Sequence, residues 1–128
     1  MTRINVGIEP RELPDKLLLA EHREIKRIPN VIKSGRYSLA GIPDQFCLGT
    51  GHVKFFYNKL GYLHIRYGYL YRECIARGFK VQFYGSAWNE LDDNASRTLF
   101  HNYIPTDRDR QLLIERITSK GFSLLSKD

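Results

Sequence analysis

Leu60, Leu63, Tyr67, Leu70 and Cys74 recur at the spacing of one helix face, and Gly78 stands where such a helix would end. A helical side chain returns to the same face about every 3.6 residues. The stretch therefore predicts a helix over Lys59 to Arg77 whose apolar stripe must be covered. Gly78 suits the left-handed residue that closes a helix. Gly61 and Gly68 weaken the pattern, yet each lets another segment come close. An earlier helical pattern follows Pro14, with Asp15 as N-cap, and runs from Lys16 into the low thirties. Pro29 must kink it, or end it at Ile28. A third begins near Asp107, with Thr106 as N-cap and Asp109 three residues on as its reciprocal partner, and ends near Ser119, before Gly121. Gly35 to Gly51 is rich in Gly and Pro and reads as an irregular loop. Lys80 to Tyr84 alternates like a short strand without a partner and reads as extended loop, and Ser86 to Asn102 is weakly patterned. The expectation is an all-α fold: a compact three-helix single domain with long irregular loops.

At 128 residues the chain is long enough to bury a core without staples. Its net charge of +6 favours a polyanionic partner, nucleic acid before an acidic membrane surface. No apolar run approaches the roughly 20 residues that span a bilayer, and no secretory segment opens the chain. Cys47 and Cys74 then read as reduced structural thiols in a cytoplasmic protein.

At about 100° per residue, Leu17, Leu18, Ile25 and Ile28 gather on one helix face. Lys16, Arg23 and Arg27 form a stripe on another, with Lys26 at its edge. Charged faces are commonly just solvated. Here Arg3 and Lys33 lie close in sequence, and the last helix adds Arg108, Arg110, Arg116 and Lys120. That density of cations is what duplex binding requires. Glu24 falls on the border between stripe and apolar face, where a carboxylate is partly desolvated yet reaches a ligand. The bland alternative is an exposed ion-pairing residue. Glu21 projects to the apolar side and needs a hydrogen-bonded partner.

Thr2 is small enough for Met1 to be removed, which would free its α-amine. Such an amine titrates at about 7.7–8.0, and Arg3, Arg23 and Arg27 would lower that and keep more of it nucleophilic. Most processed N-termini are inert. An amine, a carboxylate and a phosphate-binding face together point to chemistry at a sugar carbon of DNA. Other signals fail: Gly49-Thr50-Gly51 lacks the rest of a phosphate loop, and His22, His52, His64 and His101 show no metal-ligand spacing with the cysteines. His52, after a glycine-rich turn, is the histidine to watch. Tyr67, Tyr69 and Tyr71 read as packing and surface residues.

Met1 to Asn5, Ala20-Glu21-His22-Arg23-Glu24 with Arg27, Gly49 to Leu60, Glu73 to Phe79 and Tyr103-Ile104-Pro105 occur in one order over most of Met1 to Lys120. In these blocks the chain resembles the phage endonuclease V type of pyrimidine-dimer DNA glycosylase/AP lyase. The resemblance implies a three-helix domain with the N-terminal segment threaded between helices. It implies Thr2 as nucleophile, Glu24 as essential carboxylate, and DNA contacts from Arg3, Arg23, Arg27, Arg116 and Lys120. Lys16, Lys26 and Lys33 join them on charge and position. The partner is damaged double-stranded DNA, cyclobutane pyrimidine dimers first, bound by a monomer in an infected or host bacterial cell. No metal, organic cofactor or membrane is expected. Lys16 replaces a glutamine usual in the family, the spacer containing Pro10 is longer, and the aromatic C-terminal tail is missing. Tyr84 to Asn102 diverges too, with Trp88 as a candidate local replacement. These departures leave open a different modified or abasic base as substrate. The rival class is a DNA-binding module without catalysis.

Overall fold

Every second residue at the start of the chain is enclosed: Ile4, Val6 and Ile8 are fully buried, the two-residue period of an extended segment. The computed structural model describes residues 2–89, 91 and 94–126, and in it this segment threads between helices. The Ile4 N–H donates to the His52 ring at 2.9 Å. The Gly7 carbonyl accepts from Arg110 at 2.9 Å and the Ile8 carbonyl from Arg66 at 3.0 Å. Side chains from three separate places in the chain thus supply bonds that a neighbouring strand would otherwise provide.

After a single 3-10 turn at Pro10–Glu12, helix α1 spans Asp15–Glu24. Pro14, not Asp15, is its N-cap, with φ −62° and extended ψ. The proline ring already holds that φ, and Asp15 becomes the first helical residue, its negative charge at the positive helix end. The helix breaks at Ile25 and Lys26 and resumes as α2, Arg27–Ser34. The expected kink or stop at Pro29 is therefore displaced upstream. Pro29 has no N–H for the Ile25 carbonyl and its ring clashes with that group, so the chain yields four residues earlier and seats Pro29 in the first turn of α2.

Short α3, His52–Phe55, leads into α4, Leu60–Ala76, which packs against α1. Gly78, at φ +84°, closes α4: its N–H reaches the Ile75 carbonyl at 2.9 Å and the Phe79 N–H reaches Cys74 at 3.0 Å, the two bonds of a Schellman end. Gly61 admits the close approach its sequence suggested. A Cβ there would sit 3.0 Å from the Phe100 carbonyl oxygen. The crossing segment accepts the Leu60 N–H at Leu99 and the Tyr62 N–H at His101, two donors the helix cannot satisfy itself. A Cβ at Gly68 would meet no atom of another segment within 4 Å, so no close approach uses that glycine.

Two short helices, α5 at Ser86–Asn89 and α6 at Asn94–Arg97, occupy the weakly patterned stretch. Trp88 is 3% exposed and stacks on His64 with ring centroids 5.4 Å apart. It is a packing residue, not an exposed aromatic. The last helix, α7, spans Asp107–Ser119 and carries the reciprocal Thr106–Asp109 cap, at 3.1 and 3.0 Å. The fold is all-α. Among the described residues there is no strand, only an isolated bridge between Lys59 and Phe100. The helical residues fall into more segments than the expected three, because Pro29 splits the first and short turns of helix form within the loops. Among the described residues no helix is long and apolar enough to cross a membrane.

Candidate active site

Leu17, Ala20, Glu21 and Glu24 stand at i, i+3, i+4 and i+7 on α1, which puts them on one face. That face is one wall of a cleft of about 320 Å³. Arg116, Ile117 and Lys120, from the end of α7, form the facing wall with Phe122, and Arg3 and Asn5 of the threaded segment complete the lining. One carboxylate and three cations that the sequence singled out, Glu24 with Arg3, Arg116 and Lys120, therefore meet at one place. Thr2, buried, directly precedes Arg3.

The charges are unevenly matched. The Glu24 side chain is 14% exposed and pairs with the exposed Arg23 guanidinium at 3.4 Å, a long contact. Burial, and then the facing Arg116, hold the Arg3 guanidinium below its ordinary value. Two guanidiniums turned on the same cleft repel each other. An anion placed between them would relieve both.

Glu21 has the partners its burial demands. It is 1% exposed, accepts the Asn5 side-chain amide at 2.7 Å and the Asn5 N–H at 3.3 Å, and is bidentate with Arg66 through Nε and Nη2. Arg66 also holds the Ile8 carbonyl. Burial alone would lower the Arg66 pKa, but the Glu21 carboxylate outweighs it and raises it. One buried ion pair thus ties α1, α4 and the threaded segment together behind the cleft.

His52, 2% exposed, completes the anchoring. Its Nδ1 lies 2.9 Å from the Cys47 carbonyl and its Nε2 accepts the Ile4 N–H. The proton therefore sits on Nδ1 and the ring is neutral. Burial pushes its pKa down to about 4, against smaller support from the Cys47 carbonyl. With an unfolded value near about 6.5, the folded state binds fewer protons between those limits. His52 contributes stability in full above about pH 6.5, and loses it as pH falls through the folded value. Urea titrations from pH 7 to 4 are expected to show a loss on the order of 3 kcal/mol, most of it absent in His52→Gln. An equal loss in that variant would contradict the assignment.

The other sequence-predicted cations lie outside the cleft lining. Lys16 and Arg23 are exposed on α1, and Arg27 and Lys33 are exposed on α2. The Lys26 ammonium sits 3.4 Å above the Tyr84 ring, a cation–π contact. Arg108 and Arg110 are held internally: Arg108 donates to the Phe46 carbonyl, and Arg110 pairs with Glu12. Asn5, Arg66 and Phe122 were missed. Only Phe122 had a local signal, a glycine just after a helix. A larger groove of about 760 Å³ runs along α4 past Tyr62, Ile65 and Tyr69. Its carboxylates Glu9 and Glu73 already pair with Arg11 and Arg77, so it gathers no opposed reactive groups.

The model of one protein family, pyrimidine dimer DNA glycosylase, matches residues 1–83. The match takes in the threaded segment, the whole α1 wall, His52 and Arg66, and stops short of α7. With well over half of its length matched, the chain belongs to the pyrimidine dimer DNA glycosylase family.

Proposed function

We propose that this protein excises cyclobutane pyrimidine dimers from duplex DNA and then cleaves the strand at the resulting abasic site, with the Thr2 α-amine, exposed by removal of Met1, as nucleophile. One observation carries the reading: Glu24 and the opposed cations Arg3, Arg116 and Lys120 line one cleft, and Arg3 is one residue along the chain from Thr2, which is not itself in the lining. The amine lone pair attacks C1′ of the lesion nucleotide, and the electrons of the C1′–N bond leave with the base, which takes up a proton. Opening of the sugar gives an imine. The imine acidifies C2′, loss of that proton expels the 3′ phosphate, and water hydrolyses the imine to regenerate the amine. Glu24 stabilises the cationic sugar and moves protons at C1′ and C2′. Arg3 and Arg116 take the phosphate at the lesion and Lys120 its neighbour. Lys16, Arg23, Lys26, Arg27 and Lys33 grip the flanking backbone. The chain acts as a monomer, and the amine and carboxylate supply the chemistry without a metal or organic cofactor.

Borohydride reduction tests this reading. Incubated with an ultraviolet-irradiated or abasic duplex and reduced, the protein is expected to give a covalent adduct on both. A form retaining Met1 is expected to give none. Tight binding of both duplexes with no adduct on either would favour a DNA-binding module without catalysis.

A further inference from the structure

The outer face of α4 leaves large apolar side chains in water. Ile65, Tyr69, Arg72 and Ala76 stand at i, i+4, i+7 and i+11 along it, one stripe by helical spacing. Ile65 and Tyr69 are more than half exposed, and Ile104, next to Pro105, still more so. Apolar surface gathered on one face in this way marks an interaction site. Two hollows share the stripe. One is the groove of about 760 Å³, lined also by Gly7 to Arg11 and by Pro105. The other, of about 300 Å³, adds His64 and Gly68 to Ile65, Tyr69 and Arg72. Gly68 weakens the helix, and no part of the chain uses the space it leaves. A glycine there lets the backbone of a second helix come close. Arg72 gives the face its charge. Arg11 pairs with Glu9 and Arg66 with Glu21. Arg72 pairs with no carboxylate among the described residues, and its guanidinium lies 5.7 Å from the centroid of the Tyr69 ring.

We propose that this face docks an amphipathic helix of a partner protein, which lays its apolar side chains along the groove, crosses α4 at Gly68 and sets a carboxylate on Arg72. A helix fits better than an extended strand because the backbone of the groove is already engaged. The Gly7 and Ile8 carbonyls hold Arg110 and Arg66, and the Glu9 N–H donates to the Glu12 carboxylate. A helix brings its own backbone bonds and needs only side-chain contacts. From Tyr62 to Ala76 the wall runs about 21 Å, the length of about four helical turns. A second copy of the chain fits poorly. In a two-fold contact the patch faces itself, and its carboxylates Glu9 and Glu73 already hold Arg11 and Arg77. The groove shares no lining residue with the Glu24 cleft: Arg3 and Asn5 of the threaded segment line the cleft, and Gly7 to Arg11 line the groove. The docked helix therefore leaves the cleft open to duplex.

A phage-displayed library of helix-forming peptides with randomised surface positions, selected on the full chain, supplies the probe. Enriched peptides are expected to carry apolar residues at i, i+3 or i+4 and i+7, with an Asp or Glu beside them. A synthetic peptide of the enriched sequence is expected to bind the parent equally with and without abasic duplex present. Its affinity is expected to fall at least about tenfold in Gly68→Leu, which fills the open space, and in Arg72→Glu, which opposes its acid. Changing that acid to lysine is expected to restore binding to Arg72→Glu and not to Gly68→Leu. Both variants are expected to unfold no more readily than the parent and to bind abasic duplex within about twofold of it, because neither position lies in the core or lines the cleft. Absence of enrichment, or enriched peptides indifferent to both substitutions, would overturn the proposal. So would a dimer of the parent that sedimentation detects and Gly68→Leu abolishes, since a second copy would then be the occupant. None of these measurements needs excision, so a failure of borohydride trapping leaves this test standing.

Discussion

Glu24→Gln is expected to bind dimer-containing duplex as tightly as the parent, with at least as strong a salt dependence, and to excise the base at least about a hundredfold more slowly. The substitution keeps the side chain's size, so the cleft walls and the α1 register stay in place. What it removes is the negative charge facing Arg3 and Arg116. A neutral amide does not stabilise a cationic sugar as a carboxylate does, and it cannot relay a proton. Affinity for duplex comes largely from phosphate neutralisation by cations, and removing one carboxylate from among them leaves those contacts intact. Single-turnover excision and binding titrations over a range of salt concentrations separate the two effects. Undiminished excision would remove Glu24 from the chemistry.

Arg66→Met is expected to destabilise the fold by about 3–5 kcal/mol, because it leaves Glu21 charged, buried and without its main counter-ion. Glu21 has no exposed side-chain surface and Arg66 only 8%, so water cannot take over. The same change releases the Ile8 carbonyl and loosens the carboxylate that holds Asn5. A Glu21→Leu/Arg66→Met pair removes both charges and is expected to recover much of the stability, since apolar replacement of a whole buried pair is often neutral. It is not expected to recover the excision rate, because Asn5 loses its anchor two residues from Arg3. Chemical denaturation reads the first effect, and excision measured well below the unfolding midpoint reads the second. Recovery of both together would mean that the network serves stability alone.

The parts of the fold legible in sequence are those set by local rules. The expected Lys59–Arg77 helix is observed as Leu60–Ala76, closed by Gly78, and the Thr106–Asp109 cap starts α7 at Asp107. Both depend on residues within a turn or two of one another. The first helix was harder, because Pro29 acts one turn upstream, on the carbonyl of Ile25. The need of Glu21 for a partner was legible from its position on the apolar face. The identity of that partner was not, because Arg66 is 45 positions away. The bond from Ile4 to His52 spans 48, and such pairings are fixed by how helices pack, not by any repeat. The α1 wall of the cleft follows from helical spacing around Glu24. Its other wall follows from the packing of α7, and Phe122 comes to it through a chain reversal that only the three-dimensional arrangement shows.

The central claim is that the nitrogen at the start of the processed chain, one residue from the cleft-lining Arg3, becomes covalently bonded to the sugar. Mass-spectrometric sequencing of peptides from the borohydride-reduced adduct locates that bond directly. The account predicts a deoxyribose remnant on the α-nitrogen of Thr2, in a peptide lacking Met1. A remnant on a lysine side chain instead, such as Lys120 or Lys16, or on a peptide still beginning with Met1, would contradict it.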